Sequence, residues 1–361
     1  MMGDAPGHPG PDDRDLRALV RAMPKTELHL HLDGSLRPET ALELIKSRGI
    51  DDAPRNLRGV RAALVAPAHG ADQASLLKAF DLPIALLQDA EALERAASEL
   101  VEDKAADEVR YLEIRWAPLL HVRKGLPLLS GIAAICRGAR LAAERTGTEV
   151  RLIATAMRSH DPDANVTIAE VAASFLDSGL SGFDLAGPEE AFPDFASHAT
   201  AFAIARRAGL RTTVHAGEWG GAAQVRAALV LEPARIAHGP GAADDPDLLA
   251  ELIERTIPLD LAPTSNVQAG IVERLEDHPL PRLHRAGVPV TLSTDDLTVS
   301  SITLSEEYVR AVERLGLTMA ELWAIDLAGL DHAFVDEGTR EVLRGRFLTW
   351  ASSTPELAAT A

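Results

Sequence analysis

The chain has 361 residues, 46% of them hydrophobic and 25% charged, proportions that indicate a folded globular protein and exclude a disordered or fibrous one. Its formal net charge of −18 disfavours nucleic acid as a partner, because binding a phosphate backbone needs clustered Lys and Arg. The single cysteine, Cys136, excludes an internal disulfide and a cysteine-based zinc site. No hydrophobic run approaches the roughly 20 residues of a membrane span and no signal-peptide pattern is visible, so we expect a cytoplasmic protein without a membrane partner.

The two ends of the chain differ in composition from the part between them. Nine of the first thirteen residues are Gly, Pro or Asp, so we expect residues 1–13 to be a disordered tail and structure to begin near Arg14. Residues 351–361 carry no strong pattern and are expected to be loose. No Gly/Ser/Pro-rich linker and no repeat at solenoid spacing lies between these ends, which predicts a single domain over residues 14–350.

Eight short segments rich in β-branched and hydrophobic residues alternate with longer stretches of helical periodicity. The predicted strands cover residues 25–32, 109–116, 150–157, 182–186, 211–215, 235–237, 257–261 and 288–293. Because strands that alternate with helices form a parallel sheet, eight of them predict an α/β fold, a closed (β/α)8 TIM barrel. A doubly wound Rossmann fold is the rival, but no Gly-x-Gly-x-x-Gly follows the first strand. After strand 1 the stretches 38–48, 73–88 and 89–106 predict an inserted helical cap.

The first predicted strand carries the most informative pattern, in which His29 and His31 lie two residues apart. Side chains at that spacing point to the same face of a strand, so both imidazoles can ligate one divalent metal, with zinc the default for nitrogen ligands. The alternative is a pair of histidines on a polar strand face. Uncharged polar groups among hydrophobic neighbours need partners, and this need favours the metal.

Further titratable residues lie at or just after the ends of the fifth, sixth and eighth predicted strands. They are His215, Glu218, His238, Asp295 and Asp296. Each has an ordinary structural alternative, such as a core histidine, a helix N-cap acid or a solvated acidic turn. The carboxyl ends of barrel strands are, however, where active-site residues gather.

Taken together, these residues predict one metal ion. Three histidines and one carboxylate can hold a single catalytic metal and leave a position for water. That set is His29, His31, His215 and Asp295. Glu218, His238 and Asp296 remain beside it as acid, base or substrate contacts. A two-metal barrel site often uses a modified lysine on the fourth strand, and residues 182–186 contain no lysine.

Six sequence blocks resemble the adenosine deaminase family in their order and spacing. They are PKTELHLHLDGS (24–35), DLAGPE (184–189), HAGE (215–218), HG (238–239), PTSN (263–266) and STDD (293–296). A resemblance that extends over about 270 residues is far more specific than any single motif. It implies an amidohydrolase-type barrel that hydrolytically removes the 6-amino group of an adenine nucleoside, a small-molecule purine substrate.

The resemblance also implies a role for each matching residue. It makes His29, His31, His215 and Asp295 the ligands of one zinc ion (Zn²⁺) per chain. Glu218 would protonate purine N1, a task that needs a pKa raised by burial, and His238 would take a proton from the attacking water. Asp296 would hydrogen-bond N7, the backbone N–H of Gly187 would face N3, and Asp33 would accept a hydrogen bond from the ribose 5′-hydroxyl.

The expected substrates are adenosine and 2′-deoxyadenosine, and three alternatives stay open. A 5′-modified adenosine such as aminodeoxyfutalosine is the first, because the cap around residues 73–88 decides how much room the 5′ side has. Free adenine is the second, although relatives specific for adenine usually carry Glu where Asp33 stands. A non-catalytic nucleoside-binding relative would lack a ligand or acid, and none is missing here. Trp219, directly after Glu218, either narrows the pocket or packs as a loop aromatic.

Overall fold

The computed structural model describes residues 11–50, 52–70, 73–354 and 357. Its strands are β1 (Lys25–His31), β2 (Val109–Trp116), β3 (Glu149–Met157), β4 (Leu180–Ala186), β5 (Arg211–His215), β6 (Arg235–Ala237), β7 (Leu259–Leu261) and β8 (Val290–Leu292). Every strand boundary lies within two residues of the predicted one. The hydrophobic and β-branched runs that mark buried parallel strands are therefore sufficient to locate them.

All eight strands are parallel, and they neighbour one another in chain order from β1 to β8. The sheet closes where Leu30 of β1 pairs with Asp295 after β8, and the His31 N–H donates to the Asp295 carbonyl oxygen at 2.8 Å. The predicted (β/α)8 barrel is confirmed. Closure brings the carboxyl ends of the strands, with the residues that follow them, to one rim.

Sixteen α-helices accompany the strands within the described ranges. They are α1 (Pro11–Ala22), α2 (Pro38–Arg48), α3 (Leu57–Leu64), α4 (Gln73–Leu77), α5 (Asp81–Leu86), α6 (Ala90–Ala106), α7 (Leu128–Thr146), α8 (Pro162–Ala173), α9 (Ala199–Ala208), α10 (Gly221–Ala228), α11 (Pro246–Glu254), α12 (Pro263–Gln268), α13 (Leu280–Arg285), α14 (Leu304–Glu313), α15 (Met319–His332) and α16 (Glu337–Ser352). Helices α7, α8 and α9 pack against β3, β4 and β5 and form part of the outer ring of the barrel.

The insertion between β1 and β2 differs in detail from the predicted cap. Helices α2 to α5 form the cap, whereas α6 packs against α7 and β2, so the stretch 89–106 belongs to the outer ring. The predicted stretch 73–88 is interrupted by a 3₁₀ turn at Lys78–Phe80. Pro83 supplies the reason, because it has no N–H to bond residue 79 and its ring would clash with that carbonyl in a continuous helix.

Helix α3 was not predicted from the sequence. It begins after Asn56, whose side-chain oxygen accepts a hydrogen bond from the Gly59 N–H at 2.9 Å. Asparagine is a preferred N-cap residue because it satisfies one of the free N–H groups in the first turn. The start of the helix is therefore set by this capping residue.

Buried hydrophobic side chains of the strands and the surrounding helices form one large core. A smaller cluster joins the cap to the loops after β7 and β8, and we call it the cap cluster. It consists of Ala66, Leu76, Ala79, Ala269 and Val299, with Phe80, Trp219 and Ile271 packed against it. The cap is therefore held to the barrel rim by hydrophobic contacts as well as by the chain itself.

The chain ends are described only in part. Residues 1–10 of the expected N-terminal tail lie outside the described residues, and α1 begins at Pro11. In the expected C-terminal tail, Ala351 and Leu357 are buried, while residues 355–356 and 358–361 lie outside the described residues. Within the described ranges, no helix is both long enough and apolar enough to cross a membrane.

Candidate active site

A cavity of about 450 Å³ opens at the carboxyl ends of the strands, between the barrel rim and the cap. Eight of the nine residues singled out from the sequence line it: His31, Asp33, Gly187, His215, Glu218, His238, Asp295 and Asp296. The ninth, His29, is fully buried, and its ring centroid lies 4.8 Å from that of His215. Cap residues Leu76, Phe80 and Ile84 line the cavity as well. The cavity thus has one polar, titratable wall and one hydrophobic wall.

Three histidines and one aspartate bring their donor atoms together in this cavity. One atom from each of His29, His31, His215 and Asp295 lies within 4.8 Å of the others. Asp295 Oδ1 is 3.0 Å from His29 Nε2 and 3.4 Å from His31 Nε2, and His31 Nε2 is 3.1 Å from His215 Nε2. Neither ring nitrogen of His29 forms a hydrogen bond of ordinary geometry among the described residues, although Nε2 lies close to Asp295 Oδ1. A buried nitrogen without a partner is costly, which indicates that the cluster is built for a cation.

The protonation states of these residues also favour a metal ion in the cluster. Burial lowers the pKa of His31 to about 4 and lowers that of His29 well below its usual value, so both imidazoles are neutral and offer lone pairs. Burial alone would raise the pKa of Asp295, but the neighbouring histidines lower it well below its usual value. Neutral imidazoles and one carboxylate are a donor set typical of a mononuclear zinc site, so the residues fit a zinc-type metal ion.

A second layer of polar residues orients this cluster. Asp184 Oδ2 lies 3.0 Å from His215 Nδ1 and 3.3 Å from Arg115 Nη1, which fixes the ring of His215 with Nε2 toward the cluster. Ser265 Oγ donates to Asp295 Oδ2 at 2.7 Å. Such partners hold metal ligands in place. Sequence reasoning assigned no role to Asp184 or Ser265, although both lie in blocks that resemble the family.

The backbone is strained at two of the candidate residues. His238 and Asp295 have φ values of 69° and 66°, in the left-handed region that few non-glycine residues adopt. Barrel hydrogen bonds hold both, because His238 N–H donates to the Asp260 carbonyl at 2.9 Å and Asp295 N–H to that of His29 at 3.2 Å. Strain of this kind persists only where the surrounding structure imposes it, commonly at functional sites.

Glu218 and His238 lie next to each other in the wall of the cavity. Glu218 Oε2 lies 3.7 Å from His238 Nε2. Burial raises the pKa of Glu218 well above its usual value, Asp295 and Glu189 raise it further, and Arg158 opposes them. The carboxyl group therefore keeps its proton at a pH where an exposed glutamate has lost it, and it can donate that proton to a ligand.

A chain of hydrogen bonds behind His238 fixes which ring nitrogen carries its proton. The Leu280 N–H donates to His278 Nδ1 at 3.2 Å, so the neutral ring of His278 carries its proton on Nε2, 3.1 Å from Asn266 Oδ1. Asn266 Nδ2 then donates to His238 Nδ1 at 3.2 Å. Burial lowers the pKa of His238 to about 4, so its neutral ring carries the proton on Nε2, facing Glu218.

Hydrogen-bond acceptors without partners mark another part of the cavity. Asp33 Oδ2 lies 3.4 Å from His121 Nε2, while Asp33 Oδ1 is buried and has no partner among the described residues. Next to His121, the Gln88 amide donates to the carbonyls of Ile84 and Leu120 at 2.6 and 2.8 Å, which leaves its oxygen free. Asp33 and Gln88 both line the cavity, so this part of the cavity offers hydrogen-bond acceptors to a ligand that brings N–H or O–H groups.

Asp296 lies against Gly34, the residue that follows Asp33. Its Oδ1 is buried without a partner in the described ranges. Burial raises the pKa of Asp296 well above its usual value, and Asp295, Asp33 and Glu218 raise it further. The side chain packs against Gly34, where a Cβ would stand 1.6 Å from Asp296 Oδ1, so a glycine is required there.

Trp219 both borders the cavity and packs as a loop aromatic, the two alternatives raised by the sequence. It lines the cavity and packs against the cap cluster. Its indole Nε1 donates to the Ala269 carbonyl oxygen at 3.3 Å, which holds the ring between the loop after β5 and the helix after β7. The residue thus bounds the cavity and joins the cap to the rim.

Comparison with known proteins gives a consistent result over nearly the whole chain. The family model described as adenosine deaminase matches residues 24–350. The adenosine deaminase of Clostridium perfringens is 37% identical over 324 residues, which cover 89% of this chain and 97% of that protein.

Solved structures of several deaminases and amidohydrolases have the same fold. An amidohydrolase from Burkholderia ambifaria with bound Zn has a TM-score of 0.85 at 30% identity, and the match covers 95% of this chain and 94% of that one. Adenine deaminase from Arthrobacter aurescens gives 0.84 at 26% identity, with 91% and 99% covered. An N6-mAMP deaminase from Arabidopsis gives 0.81 at 29% identity, with 92% and 99% covered.

Proposed function

Because this chain belongs to the adenosine deaminase family and is an aminohydrolase of that family, we propose that it deaminates adenosine and 2′-deoxyadenosine. Water replaces the 6-amino group, so that inosine or 2′-deoxyinosine and ammonia are formed. The observation that carries the proposal is one cavity in which a neutral carboxyl group, a metal-donor cluster and a free carboxylate oxygen on Asp33 face the same space.

We assign the metal to one zinc ion per chain. His29, His31, His215 and Asp295 would hold it, which is supported by their donor atoms and by the amidohydrolase from Burkholderia ambifaria with bound Zn. Zinc supplies Lewis-acid activation of a water molecule when it is bound.

The chain's own residues would move the protons. Glu218, held protonated by burial, donates to purine N1 and makes C6 more electrophilic. His238 presents its Nε2–H to the attacking water and orients it. The resemblance implies that His238 takes a proton from that water. For this role its own proton would have to lie on Nδ1, and the Asn266 amide would have to flip so that its oxygen accepts that proton.

The remaining candidates would orient the purine. Asp296, whose carboxyl group keeps its proton because burial raises its pKa, can donate to N7. The backbone N–H of Gly187 would face N3 at the opposite edge of the ring. Gly187 has a φ of 114°, a conformation that side-chain-bearing residues rarely adopt, and it lines the cavity.

Asp33 distinguishes a nucleoside from the substrates named for related proteins. The His121 contact lowers the pKa of Asp33 although burial opposes it, so the group is a carboxylate that can accept from a free 5′-hydroxyl. A 5′-phosphate at the same place would meet a buried negative charge, and so would be repelled. Free adenine would leave both Asp33 and Gln88 without a partner, at a cost in affinity.

A second candidate is a 5′-modified adenosine. The observation that favours it is that Arg123 and Lys124, both exposed, line the cavity without an ion pair in the described ranges. An anionic substituent attached through the 5′ position and reaching past Asp33 would meet these two cations.

A substrate panel tests both candidates on zinc-loaded protein. We expect kcat/KM for ammonia release to be highest with adenosine and 2′-deoxyadenosine, and much lower with adenine and AMP. A higher value for an adenosine that carries a carboxylate on its 5′ side would establish the second candidate. A preference for adenine or AMP would refute both.

Replacing Asp33 tests the sugar contact directly. Asp33→Ala should lower kcat/KM for adenosine about ten- to a hundredfold, since a buried hydrogen bond to a charged group contributes about 1.5–3 kcal/mol. Turnover of 5′-deoxyadenosine, which lacks the hydroxyl, should change far less. Asp81→Ala is the matched control, because Asp81 is an exposed acid that lines the same cavity. Equal losses with both nucleosides would remove Asp33 from the sugar site.

A further inference from the structure

The Glu189 carboxylate is buried and accepts three backbone hydrogen bonds from one loop. Gly217 N–H donates to Oε1 at 2.7 Å, while the N–H groups of Trp219 and Gly220 donate to Oε2 at 2.7 and 2.9 Å. Only 3% of Glu189 is exposed. Charge-assisted hydrogen bonds of this length are among the strongest in proteins, so a single side chain fixes the path of residues 217–220.

This loop needs an external anchor. It connects β5 to α10, which begins at Gly221. Gly217 and Gly221 have φ values of 72° and 59°. Because glycine adopts positive and negative φ about equally well, these two residues do not by themselves restrict the path of the backbone. A Cβ on Gly217 would stand 2.5 Å from Val225 Cγ2 and 2.9 Å from the Gly221 carbonyl oxygen, so glycine is required where the loop turns. The Glu189 carboxylate supplies the order that these glycines lack.

A buried cation supports Glu189. The Arg158 guanidinium is 3.9 Å from Glu189 Oε1 and 4.1 Å from the centre of the Phe195 ring. It also donates to the carbonyl oxygens of His215 and Phe192, the latter at 3.2 Å. Arg158 thus compensates the buried charge of Glu189 and ties it to the end of β5.

The loop carries Glu218, and little else holds that residue. The Glu218 side chain forms no hydrogen bond within the described ranges, and its nearest ion-pair distance is the 3.7 Å to His238. Its position therefore depends on the backbone on either side of it, at Gly217 and Trp219, and both of these N–H groups donate to Glu189.

We propose that Glu189 is a positioning residue, which acts through the loop of residues 217–220 to hold the Glu218 carboxyl group at the purine. The inference rests on the proposed function for the part that Glu218 plays, but the anchoring of the loop does not. Since Trp219 packs against the cap cluster, the same carboxylate also joins the β5 loop to the cap.

Glu189→Gln is the test, because the amide keeps the size of the side chain but has a single acceptor oxygen. Its NH2 group would face an N–H group, so at least one of the three hydrogen bonds is lost. In zinc-loaded protein we expect amide hydrogen exchange at Gly217, Trp219 and Gly220 to become faster, and zinc content to stay unchanged. We expect kcat for adenosine to fall about ten- to a hundredfold, with a smaller change in KM, since small displacements of a reacting group cost rates of this order.

Two further variants complete the design. Glu190→Gln alters the exposed neighbour, which forms no hydrogen bond or ion pair in the described part of the chain, and should leave exchange and turnover unchanged. Glu189→Asp keeps the charge but is one methylene too short to reach all three N–H groups, so its exchange and kcat should lie between those of the wild type and Glu189→Gln. It also serves if Glu189→Gln does not fold.

A double-mutant cycle separates positioning of Glu218 from a general structural effect. If Glu189 acts through Glu218, Glu189→Gln should change kcat less than about twofold in a Glu218→Gln background, because the effects of residues that act as a unit are not additive. Independent, multiplying losses would overturn the proposal, as would unchanged exchange in Glu189→Gln. If the wild type deaminates no adenine nucleoside, the proposed function fails, and the exchange measurement alone decides whether Glu189 anchors the loop.

Discussion

The carboxyl groups around the cavity have different protonation states because their surroundings differ. Asp295 is surrounded by histidines, which lower its pKa although burial opposes them. Glu218 has His238 beside it, at 3.7 Å, but burial raises its pKa, and the nearby Asp295 and Glu189 raise it further. One acid is thereby kept as a ligand anion and the other as a proton donor, which is how an enzyme obtains both forms at one pH.

Replacing Glu218 tests this division of roles. Glu218→Gln keeps the shape but removes the transferable proton, so bound zinc should remain while kcat falls about a hundredfold or more. The active form of Glu218 is the protonated one, so wild-type kcat/KM should fall as pH rises through its raised pKa. Elemental analysis, turnover and pH profiles check this. Near-normal turnover of the variant would show that another group protonates the purine.

Among the helices, α6 and α7 make the closest contact around a glycine. A Cβ on Gly138 of α7 would stand 2.2 Å from the Glu94 carbonyl oxygen of α6, a backbone atom that cannot move aside on its own. The glycine therefore sets the distance between the two helices, although glycine is a poor helix former.

Gly138→Ala should consequently destabilise the protein. We expect the free energy of unfolding to fall by about 1–3 kcal/mol, since overpacking outweighs the gain in helix propensity. The control is Gly345→Ala in α16, where a Cβ would meet no atom within 4 Å, and this variant should be more stable by up to about 1 kcal/mol. Urea titrations measure both. A loss in the control as large as that at Gly138 would show that close packing is not the cause.

Across the whole molecule, a buried ion network joins strands from opposite parts of the barrel. Arg235 of β6 pairs with Glu113 of β2 and, at 3.0 Å, with Asp260 of β7. Arg235 also donates to the His332 carbonyl at 2.7 Å, and the Phe334 N–H donates to Glu113 at 2.6 Å. The network thus connects three strands to the segment that joins α15 and α16.

Removing one member of this network should be costly. Glu113→Ala leaves the guanidinium of Arg235 buried without its principal partner, and breaking such a pair lowers the free energy of unfolding by about 3–5 kcal/mol. Glu276→Ala breaks an exposed pair with Arg314 and should cost about 1 kcal/mol or less. Denaturation of both variants decides the point, and a loss below about 1 kcal/mol for Glu113→Ala would show that the network adds little to stability.

The amino-acid sequence by itself determined the strands, the barrel and the candidate residues at the strand ends. Strands are visible because buried parallel strands are runs of hydrophobic and β-branched residues, a property of a short window. The spacing of His29 and His31 is equally local, since alternate residues of a strand share a face. Glu218, His238 and Asp295 could be found because they follow strands, and in a barrel the ends of strands meet.

Only the tertiary structure decided what surrounds those residues. Asp184 orients His215 from 31 residues away, Glu189 holds a loop 28 to 31 residues further on, and Asn266 bonds to His238 across 28 residues. No local pattern encodes such pairs, because they depend on how neighbouring strands are aligned and on which loops closure brings together. The same holds for the pKa of Glu218, since burial, its largest cause, exists only once the cap and the barrel rim enclose the cavity.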